Sequence, residues 1–163
     1  MNYFELFEIP VSLKIDKASL SKKYFELQKK YHPDFYTQSN EDEKVEALEK
    51  SSLINKALKT LQNEDETIKY VLQQKELLEE EEKYTLSPDF LMEMLELNEA
   101  VMEEEPAAIT KKIAAVEEEL YAAVKTIIDN YQDGVTTSAE LLQVKDYYYK
   151  KKYLQRILDR IDG

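Results

Sequence analysis

The chain has 163 residues with no cysteine, one histidine, two glycines, four prolines and a net charge of −12. Disulfides and thiolate metal sites are excluded, a transition-metal site is unexpected with a single histidine, and the acidic balance disfavours nucleic-acid binding by phosphate neutralisation. No apolar run approaches the ~18 residues of a membrane span, and scarce Gly and Pro with apolar residues at helical spacing predict an all-α chain of one large or two small domains.

Asn2 with Glu5 reads as a capping box opening a short aromatic helix that Pro10 should end. The chain enters this helix without a basic–apolar leader, so the expected compartment is the cytoplasm. Asp16 is a good N-cap for a second helix over about residues 17–31. At 100° per residue Leu20, Tyr24, Leu27 and Tyr31 form one core stripe; Lys22 and Lys29 point away from it, with Lys23 and Lys30 on the flank. With Lys17 against Glu26 this helix carries +4 in a chain of −12. A lysine run is ordinarily a solvated face, but the reversed sign and the tripeptide at the helix end favour docking.

That tripeptide is His32-Pro33-Asp34, holding the chain's one histidine. Pro33 disfavours the α region at His32, so the helix should stop there and leave the three residues on an exposed turn. By average residue usage the tripeptide arises by chance in roughly one of a hundred chains this long, so its setting decides. After a polar loop, Asn40 with Glu43 boxes a third helix to about Leu61, with Ala47, Ile54, Ala57, Leu58 and Leu61 on one side. The second and third helices should therefore pair antiparallel. Asn55, mid-helix, is either a hydrogen-bond anchor for the turn's backbone or a surface residue. Asn63 with Glu66 starts a helix to roughly Glu79, expected to continue as a helical connection because no Gly or Pro interrupts it. The expected organisation is a domain over 1–75, a helical connection over 76–86 and a domain over 87–163.

Ser87-Pro88 opens a helix whose Phe90, Met94, Leu97 and Val101 make a complete core face. Leu91, Met92, Leu95 and Met102 form a second apolar stripe bordered by Glu96, Glu99 and Glu103. Such a stripe is either a protein-docking strip, for which methionine is an adaptable surface, or a contact with another helix of a three-helix bundle. Pro106 begins a long helix with Ile109, Ile113, Val116, Leu120, Ala123, Ile127 and Tyr131 inward, closed by Gly134 in the C′ position. Thr137 with Glu140 boxes the last helix, where Leu141, Val144, Tyr148, Leu154, Ile157, Leu158 and Ile161 supply the buried side. Tyr147, Tyr148 and Tyr149 stand 100° apart in turn, so at least one faces out. There is no Gly-rich phosphate loop, and a lone histidine flanked by proline makes no catalytic triad, so no enzyme activity is expected.

Residues 2–62 resemble a J-domain, the module by which co-chaperones stimulate ATP hydrolysis in DnaK-class chaperones. The resemblance rests on the aromatic first helix (Asn2-Tyr3-Phe4-Glu5-Leu6-Phe7), the basic second helix running into His32-Pro33-Asp34, and Ile54-Asn55-Lys56-Ala57-Leu58 in the third. Followed by Phe90-Leu91-Met92-Glu93-Met94-Leu95-Glu96-Leu97, it resembles HscB, the J-type co-chaperone of iron–sulfur cluster assembly. That resemblance implies an N-terminal J-domain joined to a C-terminal three-helix bundle, acting without a cofactor as activator of a partner ATPase. It further implies that Lys22, Lys23, Lys29, Lys30, His32, Pro33 and Asp34 meet an HscA/DnaK-class chaperone. Leu91, Met92, Leu95, Glu96, Glu99 and Glu103 would contact an IscU-type scaffold, with an aromatic best matched by Tyr149 or Tyr148. Glu26 interrupts the basic sector, which bears on which chaperone is the partner. The alternative is a J-domain adaptor recruiting an unrelated client through its acidic bundle.

Overall fold

The computed structural model describes residues 1–162, with seven α-helices, one 3₁₀ turn and, among the described residues, no β-strand. The helices are α1 (Tyr3–Leu6), α2 (Lys17–Tyr31), α3 (Glu41–Leu61), α4 (Glu64–Gln74), α5 (Pro88–Glu103), α6 (Pro106–Asp129) and α7 (Ser138–Asp162), and the 3₁₀ turn spans Pro33–Tyr36. The chain packs as two compact units that divide between Val71 and Leu72, inside α4.

In the N-terminal unit α2 and α3 pair as the expected hairpin, with α1 packed on α3. Phe4, Leu6, Phe7, Leu13, Leu20, Ala47, Ile54, Ala57, Leu61, Ile68 and Val71 are its buried apolar residues. Of the predicted α2 stripe only Leu20 is buried; Tyr24, Leu27 and Tyr31 are half-buried, because a two-helix hairpin covers α2 from one side. Asn2 and Asn40 cap as their spacing predicts, each side-chain oxygen accepting from the N–H three residues on at 2.8 Å. α1 is stopped earlier than Pro10: Glu8 adopts φ +53 and Ile9 N–H reaches back to the Phe4 carbonyl at 3.0 Å, a Schellman closure without glycine. At the far end of α3, buried Thr67 donates its hydroxyl to the Asn63 carbonyl at 2.8 Å, and the Lys17 ammonium caps the Gln62 carbonyl. Tyr3 donates its N–H to the Tyr70 hydroxyl at 2.9 Å, and the two rings stack 4.4 Å apart.

The connection is not helical. α4 ends at Gln74, where Glu76 at φ +60 and a 2.9 Å bond from Leu77 N–H to the Leu72 carbonyl repeat the Schellman closure, and residues 76–86 run as turns and extended chain. A helix here would set Glu76 against Glu79 and Glu80, and Glu79 against Glu82, at the spacings where like charges repel. The observed path instead buries Leu78 and sets Glu82 in a 2.6 Å ion pair with Lys145.

In the C-terminal unit α5, α6 and α7 form a bundle around Phe90, Met94, Leu97, Ile109, Ile113, Leu154 and Ile157. Ser87 caps α5 by accepting from Phe90 N–H, and Thr137 and Glu140 exchange two reciprocal bonds at 3.0 and 3.1 Å. The inward stripe of α6 continues through Val124 and Ile128, while Ala123 is exposed and Ile127 and Tyr131 are half-buried. Steps of four after Leu120 follow the true helical repeat, which the predicted alternation of four and three underestimates. Gly134 is not the helix cap. α6 ends at Asn130, and Gly134, at φ +81, sits inside a separate turn closed by Val135 N–H to the Gln132 carbonyl at 3.0 Å.

Candidate functional site

The tripeptide turn is built by its own backbone. His32, at φ −62 and ψ 130, leaves the α region as the following proline requires, and its N–H makes the last α2 bond to the Gln28 carbonyl at 2.9 Å. Pro33 takes the first position of the 3₁₀ turn, where no N–H is needed. Asp34 N–H donates to His32 Nδ1 at 3.2 Å, a local bond within the turn. The Asp34 carboxylate lies 3.6 Å from the same nitrogen, beyond hydrogen-bond distance, and is almost fully exposed. The Tyr36 hydroxyl donates to the Lys30 carbonyl at 2.7 Å and ties the turn back onto α2. His32, its side chain 45% exposed, is thus presented on a pre-set loop.

The four flanking lysines are not equivalent. Lys22 and Lys29 are exposed with no ion-pair partner among the described residues, and Lys30 is exposed over the Tyr31 ring. Lys23 is half-buried, 3.7 Å from both the Glu8 and Glu26 carboxylates, so part of its charge is spent inside the unit. Sequence reasoning missed Phe25, 64% exposed, three residues after Lys22 and four before Lys29 and hence on their face. Its position 100° off the core stripe was the available signal. Phe35, Val45 and Leu48 are also exposed beyond the helix end. Asn55 does not hold the turn's backbone: its Oδ1 accepts from the Tyr24 hydroxyl at 3.0 Å and Gln28 Nε2 at 3.2 Å, tying α2 to α3 through side chains.

On α5 the two apolar stripes part company. Phe90, Met94 and Leu97 are buried, whereas Leu91, Met92 and Leu95 are 42%, 60% and 53% exposed and Met102 more so. The second stripe therefore does not pack on a neighbouring helix of the bundle. Glu96, Glu99 and Glu103 border it, all exposed and without an ion-pair partner among the described residues. Tyr147 and Tyr148 are buried and Tyr149 is the half-exposed one, with its ring stacked on Tyr84 at 4.5 Å. Leu91 and Tyr149 line one groove, so α5 and α7 bring these two predicted site residues together.

Tyr84 fixes that groove's edge: its hydroxyl donates to Asp146 Oδ1 at 2.8 Å. Burial, then the hydrogen bond to Asp146, pushes its phenol up to about 12. The folded state thus holds this proton more tightly than the unfolded chain. The resulting stabilisation is complete below pH ~10, the ordinary phenol range, and is lost as pH rises toward 12. Tyr84→Phe should remove one late-titrating phenol from the alkaline absorbance titration and cost about 1 kcal/mol at neutral pH. Loss of a phenol that titrates in the ordinary range near pH ~10, with the late-titrating phenols unchanged, would show that the bond to Asp146 does not hold in solution.

An antiparallel hairpin with His-Pro-Asp at its turn and lysines on the outer helix defines a J-domain. Residues 2–70 match the family model of the DnaJ domain, so this part of the chain is a J-domain. Residues 86–162 match the model of the HSCB C-terminal oligomerisation domain. The co-chaperone protein HscB homolog of Acinetobacter baumannii is 32% identical over 162 residues, covering 99% of this chain and 89% of that protein. The homolog of Photobacterium profundum is 35% identical over 100 residues, 61% of this chain and only 58% of that relative. The crystal structure of the human co-chaperone protein HscB superposes with a TM-score of 0.83 at 27% identity, covering 99% of this chain and 81% of the human one. The chain belongs to the HscB family of co-chaperones: an all-α protein with an N-terminal J-domain and a C-terminal three-helix bundle. Among the described residues no helix is long and apolar enough to cross a membrane.

Proposed function

We propose that this protein stimulates ATP hydrolysis by an HscA/DnaK-class chaperone and delivers an IscU-type scaffold to it during iron–sulfur cluster assembly in the cytoplasm. The reading is supported by two unlike exposed surfaces on one chain: a pre-set His32 turn on a basic helix, and an apolar strip edged by carboxylates on α5. Lys22, Lys23, Lys29 and Lys30 steer the chaperone, and His32, Pro33 and Asp34 act once it has docked. In a chain of −12 this cationic face selects an acidic partner surface and makes the encounter sensitive to salt. Leu91, Met92, Leu95, Glu96, Glu99, Glu103 and Tyr149 hold the scaffold. Covalent linkage of the two surfaces raises the effective concentration of client at the chaperone, so two modest interfaces suffice. The protein performs no covalent chemistry and needs no cofactor of its own.

The test is single-turnover ATP hydrolysis by a matched DnaK-class chaperone, with this protein alone and with purified scaffold. Stimulation that rises further on adding scaffold is the expected result. Stimulation indifferent to scaffold would retain the co-chaperone and point to an adaptor for another client.

A further inference from the structure

The groove that joins Leu91 to Tyr149 has a volume of about 440 Å³, and its chemistry is the opposite of the strip it adjoins. Lys83, Lys152 and Arg156 line it together with the tyrosines. Its one carboxylate, Glu82, is neutralised by the 2.6 Å ion pair with Lys145, and that neighbour holds the Glu82 carboxyl below the usual carboxylate range. Lys83 and Arg156 have no ion-pair partner among the described residues, and Lys152 lies over the Tyr148 ring. Three cations thus converge on a tyrosine-walled groove in a protein of net charge −12. Beyond Leu91 the exposed surface changes sign, to Glu96, Glu99 and Glu103.

We infer that this groove is a second half of the client site and takes an acidic segment of the same client protein, one bearing at least two carboxylates next to the apolar patch that sits on Leu91 and Leu95. The inference rests on the proposed scaffold-binding role of the strip. Physically, a site that is anionic at one end, apolar in the middle and cationic at the other admits a client in one orientation only. A reversed pose would set like charges against each other at both ends. The groove offers guanidinium and ammonium donors to carboxylates, and the Tyr84 and Tyr149 rings, already stacked, present a rigid wall.

The experiment measures scaffold affinity by calorimetry at low and moderate salt for wild type, K83E/R156E, K83Q/R156Q and L91A/L95A, with far-UV circular dichroism on each. Lys83 and Arg156 are exposed, so their replacement leaves the fold intact. K83E/R156E should weaken binding by about tenfold at low salt, K83Q/R156Q by less, and both should flatten the salt dependence, while L91A/L95A weakens binding and keeps it. Unchanged affinity and salt dependence in K83E/R156E and K83Q/R156Q, with L91A/L95A still defective, would overturn the groove and leave the scaffold role standing. Full binding by L91A/L95A would overturn the scaffold role of the strip and the two-part site with it.

Discussion

His32→Gln should abolish the proposed stimulation of the chaperone's ATPase, at least a tenfold loss in single-turnover rate, while the melting temperature stays within a degree or two of wild type. The separation of the two effects follows from the geometry. The imidazole is 45% exposed, sits edge-on to the exposed Phe35 ring and accepts one local bond, from Asp34 N–H to Nδ1. Losing it costs the fold no more than about 1 kcal/mol. The turn's shape comes from Pro33, from Phe35 N–H to the His32 carbonyl at 3.0 Å and from the Tyr36–Lys30 tie, none of which needs the ring. Glutamine cannot supply the planar imidazole ring. Wild-type stimulation by the variant, with a verified active chaperone, would remove the tripeptide from the mechanism and leave the lysine face to explain docking.

How far these surfaces could be read in the sequence differs from element to element. Helix starts were legible, because a cap is a local rule: Asn2, Asn40, Ser87 and Thr137 each accept from the N–H three residues on, where their spacing puts it. Two helix ends were not. Glu8 and Glu76 take the left-handed conformation that ordinarily advertises itself as glycine, and only the backbone bonds back to Phe4 and Leu72 reveal the closure. The gain at the second of these is tertiary: burial of Leu78 and pairing of Glu82 with Lys145, far along the chain, redirect a segment whose composition alone permits a helix. The same distinction runs through the site. Proline fixed the His32 turn locally, and the α5 periodicity separated two apolar faces. That Tyr149 lies beside Leu91, with Lys83, Lys152 and Arg156 around them, depends on how α7 and the extended chain over 82–86 meet α5, which no periodicity encodes.

The second large effect is on the client side. Replacing Leu91, Met92 and Leu95 by alanine should lower scaffold affinity by at least a hundredfold, about 3 kcal/mol spread over three truncated apolar anchors. The protein itself should barely notice. These side chains are already about half in water, and alanine favours the helix at least as well as leucine or methionine. One turn of the same helix supplies the contrast: Met94 is fully buried in the bundle core, and Met94→Ala should cost about 2–5 kcal/mol through lost burial and the cavity left behind. Circular dichroism melts and scaffold titrations on both variants therefore read out opposite patterns: binding lost with stability kept for the triple variant, and stability lost for Met94→Ala. A triple variant that melts like Met94→Ala would mean that the strip is covered within the bundle in solution. One that keeps both its fold and its affinity would move the client to another surface. The His32 and strip variants should also be separable in the hydrolysis assay: the triple variant still stimulates the chaperone alone but no longer responds to scaffold, whereas His32→Gln binds scaffold normally and stimulates nothing.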